Sequence, residues 1–166
     1  MVFLPKHIHL AELVLADCGE RKLMLATAES CTGGLIAGLL TEIAGSSSVV
    51  ERGFVTYSND AKRDLLGVPG DMLADFGAVS EPVARAMAEG ALNHSKADIA
   101  VSVTGIAGPG GGTPMKPIGL VHIACACRGQ NMMHEMHRFG DIGRGEVRMA
   151  ALEAALNLVR RQLGAS

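Results

Sequence analysis

The sequence predicts an α/β protein, a three-layer α/β/α sandwich in which helices cover both faces of a mixed, mostly parallel sheet of about five strands. Short apolar runs alternate with stretches of helical periodicity, and parallel strands need such helical crossovers. Near the C-terminus, two strand-like segments flank the turn residues Arg128-Gly129-Gln130-Asn131, which is typical of an antiparallel hairpin. The 166 residues fit one domain, residues 1–166, and a 48% hydrophobic content can fill its core.

The spacing of apolar residues predicts each element. Apolar residues three or four positions apart predict helices, and short continuous or alternating apolar runs predict strands. In chain order, the prediction is a helix over 9–18, a strand over 23–28, a helix over 32–44, a strand over 49–57, helices over 59–66 and 69–76, a long helix opening at 80–83, strands over 98–103, 118–127 and 132–139, and a final helix over 144–163. We expect Ser80 to cap the long helix, and Asn59 and Asp60 to cap the helix that they begin.

Composition and charge exclude several classes of function. The formal net charge is −2 and no Lys/Arg cluster is interleaved with aromatic residues, so we expect no nucleic-acid partner. No apolar run is long enough to cross a membrane, and the N-terminus lacks the apolar core of a signal peptide, so we expect a cytoplasmic protein without a membrane partner. In that compartment cysteines are reduced thiols; the chain has Cys18, Cys31, Cys125 and Cys127.

A candidate nucleophile lies between the first strand and the next helix. The segment Ala28-Glu29-Ser30-Cys31-Thr32-Gly33-Gly34 has the pattern of a strand end, a sharp turn and a helix start. Backbone N–H groups at a helix N-terminus can hold the negative charge that forms when a nucleophile attacks a carbonyl. Cys31 is a rival to Ser30, because a helix N-terminus lowers the pKa of a thiol, although a packed small residue is the plainer interpretation. Ser30 and Thr32 also suit a simple helix cap.

A glycine-rich loop follows the third strand and is a candidate binding element. Its residues are Thr104-Gly105-Ile106-Ala107-Gly108-Pro109-Gly110-Gly111-Gly112. Such a loop exposes backbone N–H groups and can wrap a ribose or phosphate, although many glycine-rich loops are only turns. No Gly-Lys-Ser/Thr follows, so this is not a P-loop. Its place at the carboxyl end of a strand favours a functional interpretation.

Four motifs in order make the chain resemble the CinA C-terminal domain family. They are Ala28-Glu29-Ser30-Cys31-Thr32-Gly33-Gly34, Thr56-Tyr57-Ser58-Asn59-Asp60-Ala61-Lys62, Gly77-Ala78-Val79-Ser80-Glu81 and Thr104-Gly105-Ile106-Ala107-Gly108-Pro109. The resemblance covers the chain from about Arg21 to the last helix. Larger members of the family carry an extra N-terminal domain, and this chain looks like the form without it. Members include nicotinamide-nucleotide amidohydrolases, which convert nicotinamide mononucleotide and water to nicotinic acid mononucleotide and ammonia.

The resemblance implies roles for particular residues. Ser30 would be the nucleophile, Lys62 the base and Tyr57 a polar partner nearby. A lysine base must be neutral, so Lys62 needs a desolvated site that lowers its pKa from about 10.4. The implied substrate-binding residues are Cys31, Thr32, Gly33, Gly34, Thr104, Gly105, Ile106, Ala107, Gly108, Arg144 and Arg148. No cofactor and no metal are implied.

Arg144 and Arg148 match two arginines of the family segment Gly-Asp-Arg-x-x-Val-Arg. They lie four residues apart at the start of the last helix, so they share a face and suit a substrate phosphate, although a solvated pair is the plainer interpretation. Two residues inserted between Asp141 and Arg144 displace Asp141 from its family position.

Other interpretations remain open from the sequence. The pocket is also compatible with a nucleotide-binding module that has lost catalysis, or with a hydrolase of another small amide. Cys125, Cys127, His122, His134 and His137 share a predicted hairpin, but their spacing matches no standard zinc site. An open sheet edge and a Met-rich last strand favour a homodimer or higher homo-oligomer.

Overall fold

A five-stranded mixed sheet forms the centre of the molecule. The computed structural model describes residues 2–165. The strands are β1 (Leu25–Glu29), β2 (Val50–Val55), β3 (Ile99–Gly105), β4 (Leu120–Cys127) and β5 (Met133–Arg138), in the spatial order β2-β1-β3-β4-β5. β1 is parallel to β2 and β3, whereas β4 is antiparallel to β3 and β5. The predicted α/β class, the mixed sheet and the C-terminal hairpin are therefore confirmed.

The glycine-rich segment decides how β4 enters the sheet. It joins β3 to β4 without a crossover helix, so the two strands pair directly as antiparallel neighbours, with Thr104 opposite His122. A parallel neighbour would need a longer crossover, usually a helix. β4 alone runs against the other four strands, and the loop after β3 stays at the sheet edge where β1 and β2 also end.

Helices cover both faces of the sheet. They are α1 (Pro5–Glu20), α2 (Leu35–Glu42), α3 (Asn59–Leu66), α4 (Gly70–Phe76), α5 (Glu81–Asn93) and α6 (Arg144–Gln162). Residues of α1, α2 and α6 form one core with one face of the sheet, and residues of α3, α4 and α5 form a second core with the other face. A short 3-10 helix, Ser46–Ser48, was not predicted.

Side-chain size differs between the two cores because strand residues alternate between the faces. Leu25, Ile99 and Val101 face the core of α1, α2 and α6, whereas Ala26, Ala28 and Ala100 face α5. Small strand residues let α5 pack close to the sheet. Gly90 of α5 also lies against the backbone carbonyl of Leu66, which leaves no room for a Cβ atom.

Helix caps confirm one prediction and correct two. Ser80 caps α5, since its Oγ accepts a hydrogen bond from the Val83 N–H at 3.4 Å. Ser58, rather than Asn59 or Asp60, caps α3, because its Oγ is the oxygen that accepts from the Ala61 N–H. The N-cap of α2 is Gly34 at φ 100°, not Thr32, so this helix begins at Leu35.

Candidate active site

Ser30 and Lys62 meet at the carboxyl edge of the parallel strands. Ser30 directly follows β1, and its backbone N–H donates to the Val103 carbonyl of β3 at 2.9 Å. Lys62 lies on α3, which follows β2. Nζ of Lys62 is 3.1 Å from Oγ of Ser30 across a sequence separation of 32 residues. This distance is within reach for a proton transfer between the two side chains.

Burial makes Lys62 suitable as a base. Only 1% of its surface is exposed, and Nζ also donates to the backbone carbonyl of Thr56 at 3.0 Å. Among residues 2–165 no carboxylate forms a salt bridge with it. Desolvation lowers the pKa of Lys62 from its ordinary value of 10.5, and the nearby Cys31 opposes this in part. The neutral amine, which can accept a proton, is therefore favoured relative to an exposed lysine.

The Cys31 thiol has the opposite tendency. Its side chain is buried, and this burial raises its pKa from 9.0 to about 11, although Arg148 and Lys62 act against the increase. A thiol with this pKa stays protonated near neutral pH and is a poor nucleophile. The structure therefore favours the packed interpretation of Cys31 and leaves Ser30 as the nucleophile candidate.

The backbone donors near Ser30 belong to a turn rather than to α2. The Glu29 carboxylate accepts from the N–H groups of Ile36 at 2.9 Å and Ala37 at 3.1 Å, so it occupies the N-terminus of α2. The turn closes where the Gly33 N–H donates to the Ser30 carbonyl at 3.0 Å. Within the described chain, the N–H groups of Cys31 and Thr32 have no acceptor in another residue. Thr32 is fully buried, whereas Cys31 borders the cavity beside Ser30, so the Cys31 N–H is the available oxyanion donor.

A cavity of about 290 Å³ opens onto the Ser30–Lys62 pair. Most of the predicted site residues line it. The lining consists of Ser30, Cys31, Tyr57, Asn59, Lys62, Ala78, Val79, Thr104, Gly105, Ile106, Ala107, Gly108, Gly110, Gly111 and Arg144. Thr32, Gly33, Gly34 and Arg148, which the sequence analysis also assigned to substrate, are not part of this lining. They lie in or behind the turn that follows Ser30.

Arg144 spans the mouth of the cavity. Its guanidinium donates to the Gly108 carbonyl at 2.8 Å and to the Tyr57 hydroxyl at 2.9 Å. Tyr57 is 61% exposed, and its described hydrogen bond is to Arg144 rather than to Lys62. The structure therefore gives Tyr57 a place at the entrance and no contact through which it could orient the base.

Arg148 points to the turn instead of the cavity. Its Nε donates to the Cys31 carbonyl at 3.0 Å and its Nη2 to the Thr32 carbonyl at 3.4 Å. The two arginines share a face of α6 as predicted, but they lie one helical turn apart and contact different parts of the site. This arrangement therefore gives Arg148 no direct contact with a substrate in the cavity.

Sequence reasoning missed two contributors to the site. Glu29 holds the start of α2, and the Thr56 carbonyl holds Lys62. Thr104, which was predicted to bind substrate, lines the cavity, and its Oγ1 donates to the Ala78 carbonyl at 2.9 Å, which fixes one wall. Glu29 could have been found from strand alternation, since residues 25, 27 and 29 face the side that α2 covers. The Thr56 carbonyl leaves no sequence signal, because any residue type carries a backbone carbonyl.

The histidines and cysteines of the C-terminal hairpin do not come together in one metal site. Cys125 and Cys127 face the core of α6, whereas the rings of His122 and His134 stack on the other face with their nitrogens 2.9 Å apart. No group of three or more His, Cys, Asp or Glu residues within 2–165 is arranged to hold a metal ion. Cys18, Cys31, Cys125 and Cys127 are all free, buried thiols. Across the same residues, no helix is both long and apolar enough to cross a bilayer.

Comparison with known proteins identifies the family. Residues 7–163 match the model of the CinA C-terminal domain. The chain belongs to the CinA C-terminal domain family. The match includes every residue that lines the cavity, and it confirms the resemblance found in the four sequence motifs.

Relatives of the CinA family include longer proteins. A CinA-like protein from Syntrophus aciditrophicus is 54% identical over 153 residues, which is 92% of this chain and 36% of the relative. A CinA-like protein from Akkermansia muciniphila is 54% identical over 135 residues, or 81% of this chain and 33% of the relative. The chain thus spans about a third of the length of these relatives.

Solved CinA structures have the same fold. The competence/damage inducible protein CihA from Agrobacterium tumefaciens is 56% identical with a TM-score of 0.96, covering 98% of both chains. A CinA superfamily protein from Klebsiella pneumoniae is 35% identical with a TM-score of 0.90, covering 95% of this chain and 98% of that one. Both are similar to this chain over nearly its whole length.

Proposed function

We propose that this CinA-family chain is an amidohydrolase that converts nicotinamide mononucleotide to nicotinic acid mononucleotide and ammonia. The observation that carries the proposal is the 3.1 Å contact between Ser30 Oγ and the buried Nζ of Lys62 at the floor of a cavity. A serine becomes nucleophilic when an adjacent base removes its proton, and a buried lysine can be that base. The family resemblance supplies the choice of substrate.

The first step forms a tetrahedral intermediate. Ser30 Oγ attacks the carboxamide carbon while its proton passes to Nζ of Lys62. The carbonyl oxygen becomes an oxyanion and accepts a hydrogen bond from the N–H group of Cys31. This donor is held in a closed turn, so little reorganisation is needed as the charge develops.

The second step releases ammonia, and water completes the reaction. Lys62 returns the proton to the amide nitrogen, the C–N bond breaks, and ammonia leaves an acyl ester on Ser30. Water then attacks that ester with Lys62 again as the base. The C–O bond to Ser30 breaks, the proton returns to Oγ, and the carboxylic acid product leaves.

Arg144 and the glycine-rich loop would bind the nucleotide end. Among residues 2–165, Arg144 has no carboxylate partner, and its guanidinium borders the cavity. A phosphate can replace the neutral oxygens that Arg144 now contacts, because charge-assisted hydrogen bonds are stronger than neutral ones. Asp141 lines a different depression beside Arg138, so it has no role in this scheme.

Measurement of ammonia release from nicotinamide mononucleotide tests the proposal. We expect wild-type turnover, and a loss of at least about 10³-fold in kcat for Ser30→Ala and for Lys62→Met, since both belong to one catalytic unit. Ser48→Ala and Lys96→Met change an exposed serine and an exposed lysine and should keep wild-type rates. Wild-type-like turnover by Ser30→Ala would reject the mechanism.

A related candidate is a hydrolase of another small amide with the same Ser30–Lys62 chemistry. The insertion before Arg144 and the engagement of Arg144 with Tyr57 and Gly108 leave the phosphate end the less defined part of the site. A panel of pyridine carboxamides with and without phosphate separates the two candidates. Faster turnover of an unphosphorylated amide favours the second, and binding without any ammonia release favours a silent nucleotide-binding module.

We also propose that the protein assembles as a homodimer through the free edge of β5. This strand pairs with β4 on one side, and Met136 is 50% exposed. Unpaired N–H and C=O groups on a sheet edge favour pairing with a second copy. Light scattering on the purified protein gives the mass that decides between monomer and dimer.

A further inference from the structure

Arg148 lies outside the cavity lining, and it is not paired with a carboxylate among the described residues. It lies in the second turn of α6, half-buried, and among residues 2–165 it has no carboxylate partner. A positive charge near a helix N-terminus opposes the helix dipole, so its position has an electrostatic cost. Its guanidinium instead donates to two backbone carbonyls, those of Cys31 and Thr32.

These contacts fix the turn that carries the proposed oxyanion donor. Arg148 holds the carbonyl of Cys31, the residue whose N–H borders the cavity. The peptide group that contains this N–H is held at its other end, because the Ser30 carbonyl in the same planar group accepts from the Gly33 N–H.

The charge of Arg148 also acts on this turn. Its guanidinium donates to the Cys31 carbonyl, and its positive charge opposes the increase that burial causes in the pKa of the Cys31 thiol. The same field would favour an oxyanion that forms beside Ser30.

Gly33 makes the close approach of Arg148 possible. Its φ of +58° lies in the left-handed region, and a Cβ atom built there would be 3.2 Å from Nη2 of Arg148. A side chain at this position would displace the guanidinium or strain the turn. Gly33 and Arg148 therefore hold the same turn at different carbonyls, Gly33 at that of Ser30 and Arg148 at those of Cys31 and Thr32.

We infer that Arg148 is a positioning residue that holds the Ser30–Gly33 turn so that the N–H group of Cys31 faces the oxyanion, and that it does not bind the substrate phosphate. This inference rests on the proposed amidohydrolase function. It separates the two arginines at the start of α6: Arg144 serves the nucleotide end, whereas Arg148 serves the reacting carbonyl.

Steady-state kinetics on nicotinamide mononucleotide test the inference with three variants. Arg148→Met removes the charge and both donors, Arg148→Lys keeps the charge but not the two-point geometry, and Gly33→Ala disturbs the contact from the turn. Loss of one oxyanion donor lowers kcat by about 10²–10³-fold, so we expect Arg148→Met to lose about 10–100-fold in kcat with KM within about threefold. Arg148→Lys should lie between Arg148→Met and wild type.

Arg161→Met is the matched control on the same helix. Arg161 is paired with Glu135, far along α6 from the turn, so this variant should keep wild-type kcat and KM. Thermal unfolding of each variant separates a loss of fold from a loss of rate, and Arg148→Lys and Gly33→Ala carry the test if Arg148→Met does not fold. A purely structural role would lower the melting temperature and leave kcat of the folded fraction unchanged.

The outcomes separate this inference from the function on which it rests. An Arg148→Met variant with raised KM and wild-type kcat would show phosphate binding and overturn the inference alone. Full kcat in Arg148→Lys would also overturn it, because charge without geometry would then suffice. A wild-type chain that releases no ammonia would remove the proposed function, and the inference with it.

Discussion

At the scale of single residues, Lys62 has the most unusual environment in the site. The Lys62 amine is 1% exposed, has hydrogen bonds to Ser30 and to the Thr56 carbonyl, and forms no salt bridge among residues 2–165, so it is destabilised in its charged form. The same burial that makes it a base costs the protein stability. Function and stability therefore conflict at this residue.

The lowered pKa of Lys62 predicts a pH dependence of activity. Since the neutral amine is the active form, kcat/KM should rise with pH through the pKa of Lys62, which desolvation places below 10.5. Initial rates of ammonia release across the pH range measure this limb. A flat profile, or one that falls as pH increases through neutrality, would contradict a lysine base.

The same shift predicts how Lys62→Met changes stability. Because the folded pKa lies below the unfolded one, the wild type is penalised at every pH below both values and regains stability as pH rises between them. Lys62→Met removes this penalty, so the free energy of unfolding of the wild type relative to the variant should be lowest at neutral and acidic pH and should rise towards pH ~10.4. Urea unfolding of both proteins at several pH values measures this difference. A difference that does not change with pH would contradict a lowered pKa of Lys62.

At the scale of elements, the start of α2 depends on a side chain outside the helix. The Glu29 carboxylate accepts the N–H groups of Ile36 and Ala37, and Gly34 supplies the left-handed backbone before Leu35. A buried carboxylate at a helix N-terminus is stabilised by the helix dipole. This cap also fixes the direction in which the chain leaves Ser30.

Glu29→Ala should therefore destabilise the protein strongly. It leaves the buried N–H of Ile36 and the partly buried N–H of Ala37 without an acceptor, which costs about 2–4 kcal/mol in the free energy of unfolding. Glu42→Ala is the control, because Glu42 is an exposed residue at the other end of α2. Equal stability of the two variants in urea unfolding would contradict the capping role of Glu29.

Two glycines inside helices have opposite expected responses to alanine. Gly90 of α5 lies against the Leu66 backbone, so Gly90→Ala should force α3 and α5 apart and cost about 2–3 kcal/mol. The site that a Cβ would occupy at Gly38 of α2 is open, with Phe3 Cζ at 4.0 Å, so Gly38→Ala should stabilise the protein by about 0.5–1 kcal/mol. Thermal unfolding of both variants checks the signs.

At the scale of the whole molecule, burial is greatest in the central strands of the sheet. Every residue of β1 and β4 is buried, and so are the first six residues of β3, whereas β2 and β5 at the two edges are partly exposed. Backbone amides in β1 and β3 should exchange slowest, and those of β2, the more exposed edge strand, should exchange fastest among the strands. Hydrogen exchange followed by mass spectrometry gives the order, and slowest exchange in β2 or β5 would contradict it.

Local sequence determined much of this protein. The spacing of apolar residues gave the eleven predicted elements, the bounds of α3 and the Ser80 cap, because these depend on residues within about one helical turn or one strand of each other. The motif around Ser30 likewise marked a strand end and a turn without any long-range contact. The α/β class follows from the order of these elements.

Only the tertiary structure decided which of these groups meet. Ser30 and Lys62 are separated by 32 residues and Arg148 and Cys31 by 117, and no periodicity encodes such contacts. The packing of α3 and α6 against opposite faces of the sheet sends Lys62 to the serine hydroxyl, Arg144 to the cavity mouth and Arg148 to the turn. Side-chain direction over such separations is set by the filling of the two cores, which depends on the whole chain at once.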